Sequence, residues 1–238
     1  MTGEPTIADV LSRVVRITGN YQRADAELQG IMSNIQPTDT AKQRRGVVAD
    51  VRNIIGPLGR IRAIEVSALV RLAYARGVHL VDRADKLTNY PLEPVTTLIA
   101  SLTDNLVAAE KTVIRNVADS MRKMTLLSSA LAVPDGRLAT TLALTDRSGR
   151  RWGLSQYATM ALRTVAHEAL TEGTLAALKN HGLDIIQVST QVGASAVCQS
   201  WDGEQFSVSG DHPRLPKLEA VPPFHPGCEH YLFYPGLT

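Results

Sequence analysis

Ile7-Ala8-Asp9-Val10-Leu11-Ser12-Arg13-Val14-Val15-Arg16-Ile17-Thr18-Gly19-Asn20-Tyr21 opens an apolar series that continues through Ala24, Leu28, Ile31 and Ile35. Its steps alternate between three and four residues, which at 3.6 residues per turn places one narrow stripe along a long helix. Gly19 and Gly30 each weaken a helix interior by roughly 1 kcal/mol relative to Ala, so packing must supply the rest of its stability. Pro37 is the expected end. A stripe this long and narrow calls for a covering surface, and Val10, Val14, Ile17, Tyr21 and Leu28 are the candidate partner contacts.

Working outward, Thr38-Asp39-Thr40 supplies N-cap chemistry for a second helix carrying Val47, Val51, Ile54 and Ile55, broken by Gly56-Pro57. A third is expected from about Gly59 to Arg76, with Gly77 as its stop. Between Lys42 and Arg76 stand Arg44, Arg45, Arg52, Arg60, Arg62 and Arg71, opposed only by Asp50 and Glu65. Arg44, Arg45, Arg52, Arg60 and Arg62 are therefore candidate DNA contacts, of the kind that neutralise phosphate without reading sequence; the competing interpretation is a solvated helix face. A further long helix follows Tyr90-Pro91, with Val95, Leu98, Leu102, Leu106, Ala109, Val113, Val117, Met121, Met124 and Leu127 as its core side.

The character changes at Val133-Pro134-Asp135-Gly136, a turn signal that sets the expected division into a helical region 1–136 and a compact domain 137–238. Beyond it, segments around Thr145 to Arg150 suggest a short hairpin, Ser155 a helix cap, and Asn180-His181-Gly182 that helix's end. Asp184 to Ser189 is a short buried strand. The fold class is α+β, a long-helix N-terminal half followed by a compact α+β domain.

Composition narrows the function classes. Of the 238 residues 44% are hydrophobic and 20% charged, ordinary for a chain with a real core, and the net charge of +2 decides nothing about DNA. No apolar run is long enough to span a bilayer and the N-terminus lacks a signal pattern, so assembly in a cytosol is expected. Cys198 and Cys228 are too few for a disulfide framework. Phosphate-cradling glycine loops, G-x-S-x-G and paired carboxylates are absent, and His167-Glu168 lacks the second histidine of H-E-x-x-H because Thr171 stands there.

Several stretches in order carry a resemblance: Thr145-Asp146-Arg147-Ser148-Gly149-Arg150-Arg151-Trp152-Gly153-Leu154-Ser155-Gln156-Tyr157, then Gly182 to Ser189, Cys198-Gln199-Ser200-Trp201-Asp202-Gly203, Phe206 to Gly210, and Phe224-His225-Pro226-Gly227-Cys228-Glu229-His230 with Tyr234-Pro235-Gly236. The set resembles phage minor capsid proteins of the Mu F-like head-morphogenesis group, of the minor capsid protein 2 type. That resemblance implies a structural, non-enzymatic virion protein inside the head near the portal, touching the portal protein and the inner capsid surface, with nonspecific contact to packaged DNA. It further implies help in head assembly and in DNA packaging or ejection. With the chain stopping at Thr238, no appended effector domain is expected.

Cys198, His225, Cys228 and His230 form a candidate structural metal set, since a turn at Pro226-Gly227 lets His225 and Cys228 converge. Ser195 stands where a Cys-x-x-Cys pair would need its first cysteine. One structural zinc, an unmetallated hydrogen-bonded closure and a late disulfide all stay open. A metal-dependent hydrolase or nuclease using the same four residues is the alternative function; a closed four-ligand site would speak against it, an open position for it.

Overall fold

The computed structural model describes residues 6–36, 38–82, 89–127, 140–146 and 149–237. Helices come first: α1 (Ile7–Ser33), α2 (Ala41–Ile55), α3 (Leu58–Ile61), a π-helical segment (Arg62–Val66), α4 (Ser67–His79) and α5 (Glu93–Leu127). A small hairpin of β1 (Leu144–Thr145) and β2 (Arg151–Trp152) precedes α6 (Leu154–Asn180), and β3 (Ile185–Val188), β4 (Gln205–Ser207) and β5 (Leu232–Phe233) close the chain. Long helices followed by few antiparallel strands make an α+β protein.

Contacts divide the chain into two compact units, each assembled from segments distant in sequence. One comprises Met1–Val14, Val66–Leu102 and Met160–Thr238, the other Val15–Glu65 and Thr103–Thr159. The expected boundary at 133–136 lies outside the described residues, as does Pro37.

In the second unit, the α1 stripe packs as its spacing dictates, with Ile17, Tyr21 and Leu28 fully buried. Tyr21 donates its hydroxyl to Glu110 of α5 at 2.9 Å, and Arg62 pairs with the same carboxylate. Burial, reinforced by Glu110, pushes the Tyr21 phenol well above its ordinary range. Thr40 caps α2 through a reciprocal box with Gln43, as its sequence position suggests. α6 starts differently from expectation. Ser155 does not cap it; the Asp25 carboxylate of α1 accepts from the Ser155 hydroxyl at 2.6 Å and from its backbone N–H at 3.4 Å. The hairpin is present but each strand has only two residues, and Asp146 anchors it by accepting from Trp152 Nε1 and the Arg150 N–H, both at 2.9 Å.

In the first unit, α4 does not stop at Gly77 but runs on to His79. The glycine serves contact rather than termination: a Cβ there would lie 2.0 Å from the Leu170 carbonyl oxygen, and a Cβ on Gly173 would lie 2.2 Å from that of Tyr74. α4 and α6 thus touch backbone to backbone, and Thr174 Oγ1 donates to the Gly77 carbonyl at 3.2 Å. The buried side of α6 is made of small residues, Ala161, Ala166, Ala169 and Ala177, with Leu162, Leu170 and Leu178 between them. Gly182, at φ +62°, ends the helix, with the Leu183 N–H donating back to Leu178.

β3 is the central strand of an antiparallel sheet ordered β4-β3-β5, paired Ile186↔Phe206 on one edge and Val188↔Leu232 on the other. Ile186, Val188 and Leu232 are fully buried. Strands this short leave long connections, 189–204 and 208–231, and those two loops carry the Cys and His residues.

Candidate functional site

Loop 189–204 turns back on itself at Ser195, whose carbonyl accepts from the Cys198 N–H at 2.8 Å, and again at Cys198, whose carbonyl accepts from Trp201 and Asp202. These turns carry the Cys198 side chain inward. In loop 208–231, Pro226 and Gly227 form the tight turn that the sequence suggested: Gly227 sits at φ +81° and the Cys228 N–H donates to the His225 carbonyl at 3.0 Å. The two loops meet at their sulfurs. Cys198 Sγ is 3.9 Å from Cys228 Sγ, and ligand atoms of Cys198, His225 and Cys228 all lie within 4.8 Å of one another.

His230 joins through Cys228: its Nδ1 is 3.5 Å from Cys228 Sγ, while its Nε2 is 2.8 Å from Asp202 Oδ1. Asp202 also accepts the Gln191 N–H at 2.8 Å, and these two hydrogen bonds, the backbone one foremost, hold its carboxyl below the usual range. Since a carboxylate accepts, His230 donates from Nε2 and turns the lone pair of Nδ1 toward sulfur. Ser195 Oγ lies 3.0 Å from His225 Nε2, and His225 Nδ1 lies 3.0 Å from the Pro226 carbonyl oxygen. Trp201 stacks on Phe224 at 5.1 Å and tilts against Phe206 at 5.2 Å, with Phe224 meeting His230 edge-on at 6.1 Å. This aromatic wall leaves Cys198 1%, Cys228 2% and His230 2% exposed.

Cys228, His230 and Asp202 stand in the order of a nucleophile, base and orienting acid, but the surroundings oppose that chemistry. A nucleophilic cysteine needs access and a lowered pKa, whereas burial pushes the Cys228 thiol up. The arrangement suits a closed donor set. Of the four residues singled out from the sequence, Cys198, His225 and Cys228 come together as one group, and His230 lies against Cys228 outside that group. The spacing did not anticipate Asp202 as the partner of His230, because an aspartate before Gly203 looks like any turn aspartate.

The other expected sites fare differently. Val10, Val14, Ile17, Tyr21 and Leu28 are each at most 3% exposed, covered by the chain itself, so a partner cannot reach them in the folded protein. The narrow stripe needed a second surface, and this chain supplies it. Of the basic candidates, Arg45, Arg52 and Arg60 are exposed, Arg44 is buried at 3%, and Arg62 is half-buried and ion-paired with Glu110. Arg44 and Arg45 line a cleft with Arg122, over Val48 and Met121. The basic face available to phosphate is thus smaller than the charge run suggests. Among the described residues no helix is long and apolar enough to cross a membrane.

The segment that folds into β1 to β4 and ends on His230 also carries the decisive similarity. Residues 128–230 match the family model Phage minor capsid protein 2. That segment is less than half of the chain, and it contains the whole Cys and His cluster together with Asp202. The match supports a phage minor capsid protein, with a structural role in the virion and contacts to other head components. No curated protein and no solved structure shows a significant match.

Proposed function

We propose that this chain is a structural minor head protein of a tailed phage, of the Mu F-like head-morphogenesis group, held inside the head beside the portal vertex. There it contacts the portal protein and the inner capsid surface and assists head assembly and DNA packaging or ejection. The observation that carries the proposal is the family match over residues 128–230, which encloses the β1–β2 hairpin, strands β3 and β4, and the Cys and His cluster with its buried Cys198, Cys228 and His230. Exposed Arg45, Arg52 and Arg60 fit an interior position, where packaged DNA presents phosphate at every turn.

The test is quantitative mass spectrometry of purified procapsids and mature particles, with localised cryo-EM of the portal vertex. The protein is expected in both particles at low copy number, with density at the vertex on the inner side, and its loss is expected to reduce filled heads. Recovery only in tail fractions, or only in the soluble lysate, would overturn the proposal.

A further inference from the structure

We propose that Cys198, His225, Cys228 and His230 bind one structural zinc ion that staples loop 189–204 to loop 208–231. The inference is independent of where the protein sits in a particle.

Distances carry it first. A tetrahedral zinc with bonds of about 2.3 Å to sulfur and about 2.0–2.1 Å to nitrogen separates two thiolates by about 3.8 Å and a thiolate from an imidazole nitrogen by about 3.6 Å. The two sulfurs here are 3.9 Å apart and Cys228 Sγ is 3.5 Å from His230 Nδ1. The Cys198–Cys228 and Cys228–His230 spacings are therefore already at bound lengths, and His225 has a ring nitrogen within 4.8 Å of both sulfurs; His230, which lies outside that group of three, closes in from Cys228 to complete the set. A disulfide would instead require the sulfurs to close to about 2.05 Å.

Charge and orientation agree. Binding releases two thiol protons to solvent and leaves two thiolates that cancel the 2+ charge of the ion, so a site with cysteines 1% and 2% exposed carries no net charge into the interior. The Asp202 carboxylate fixes the His230 tautomer with Nδ1 toward sulfur, the outer-shell arrangement that orients a metal-binding imidazole. Trp201, Phe224 and Phe206 form the hydrophobic shell that keeps water from the thiolates.

The fold supplies the need. Irregular connections longer than about 12–15 residues are uncommon in compact domains, and both loops joined by this cluster exceed that length. Strands of four, three and two residues offer little ladder to hold them. Cys198 belongs to one loop and the three remaining donors to the other, so a single ion ties the pair.

The full chain, purified without chelator, is expected to contain about one zinc per molecule by elemental analysis. Cobalt(II) replacing the zinc should give the intense visible bands of tetrahedral coordination and near-ultraviolet thiolate charge transfer. Cys228→Ser and His230→Ala should each remove stoichiometric metal, Asp202→Asn should weaken zinc affinity about 10- to 100-fold, and His212→Ala should change nothing. The wild-type cobalt spectrum needs no variant to fold. Its absence, zinc content near zero, or a Cys198–Cys228 disulfide in place of metal in freshly isolated protein would overturn the proposal; so would unchanged zinc content in a folded His230→Ala variant.

Discussion

Gly77→Ala is a demanding test of the α4–α6 crossing because local and tertiary effects have opposite signs. In a helix interior, alanine is favoured over glycine by about 1 kcal/mol, so a reader of the sequence would expect stabilisation. In the folded protein the new Cβ would stand 2.0 Å from the Leu170 carbonyl oxygen and 2.9 Å from Leu170 C and Thr174 N. All three are backbone atoms, and ordinary carbon contacts of roughly 3.5 Å require the helices to part by more than an ångström. Overpacking of this kind costs about 1–3 kcal/mol. Parting the helices also loses the 3.2 Å contact of Thr174 Oγ1 to Gly77, but the hydroxyl keeps its nearer acceptor, the Leu170 carbonyl at 3.0 Å, so this adds little. The net expectation is destabilisation by up to about 2 kcal/mol, measured by urea unfolding followed at the helical circular dichroism signal. Gly30→Ala and Gly46→Ala are the controls: neither Cβ meets anything within 4 Å, so each should stabilise by up to about 1 kcal/mol. A Gly77→Ala protein as stable as these controls would refute the close crossing.

Glu110→Ala leaves the half-buried Arg62 without its carboxylate and Tyr21 without its acceptor, and breaking a buried pair in this one-sided way should cost about 3–5 kcal/mol in the same assay; a loss below 1 would show the pair to be solvated. Asp25→Ala removes the acceptor at the start of α6 and should cost about 0.5–2 kcal/mol, with faster hydrogen exchange at the Ser155 amide; unchanged exchange there would show that α6 begins without help from α1.

How much was legible in the sequence follows the range over which each feature is encoded. The stripes of α1 and α5 were plain, because a three-and-four spacing needs no knowledge of the partner, and the Thr40 box and Gly182 stop are equally local. Gly77 was misleading for the same reason: next to a helix's last apolar residues a glycine looks like a terminus, and only Gly173, far away in the chain, shows it to be a contact point. Asp25 and Ser155 could not be paired by any local rule, nor could Asp202 and His230. The two-residue β5 is a strand only because Val188 pairs with Leu232. A charge run counts arginines without saying which face each occupies, so Arg44 and Arg62 were grouped with the exposed Arg45, Arg52 and Arg60. The cluster was legible in part because three of its donors lie within six residues and the turn between them is written as Pro226-Gly227.

The interleaved make-up of the two units sets a timetable for synthesis. As the chain leaves the ribosome, α1 emerges first, yet its opening turns through Val14 belong with Val66–Leu102 and with everything from Met160 onward. α4 waits on the same late arrivals, since the surface around Gly77 is covered by α6. A nascent chain halted before Met160 therefore leaves the Tyr74 and Gly77 face of α4 without the helix it packs on, and such stalled fragments are natural substrates for chaperones and proteases. Contacts that join distant segments also slow folding, because each loop must close before its packing is gained. The supply of folded copies is then governed by completed chains rather than by initiated ones.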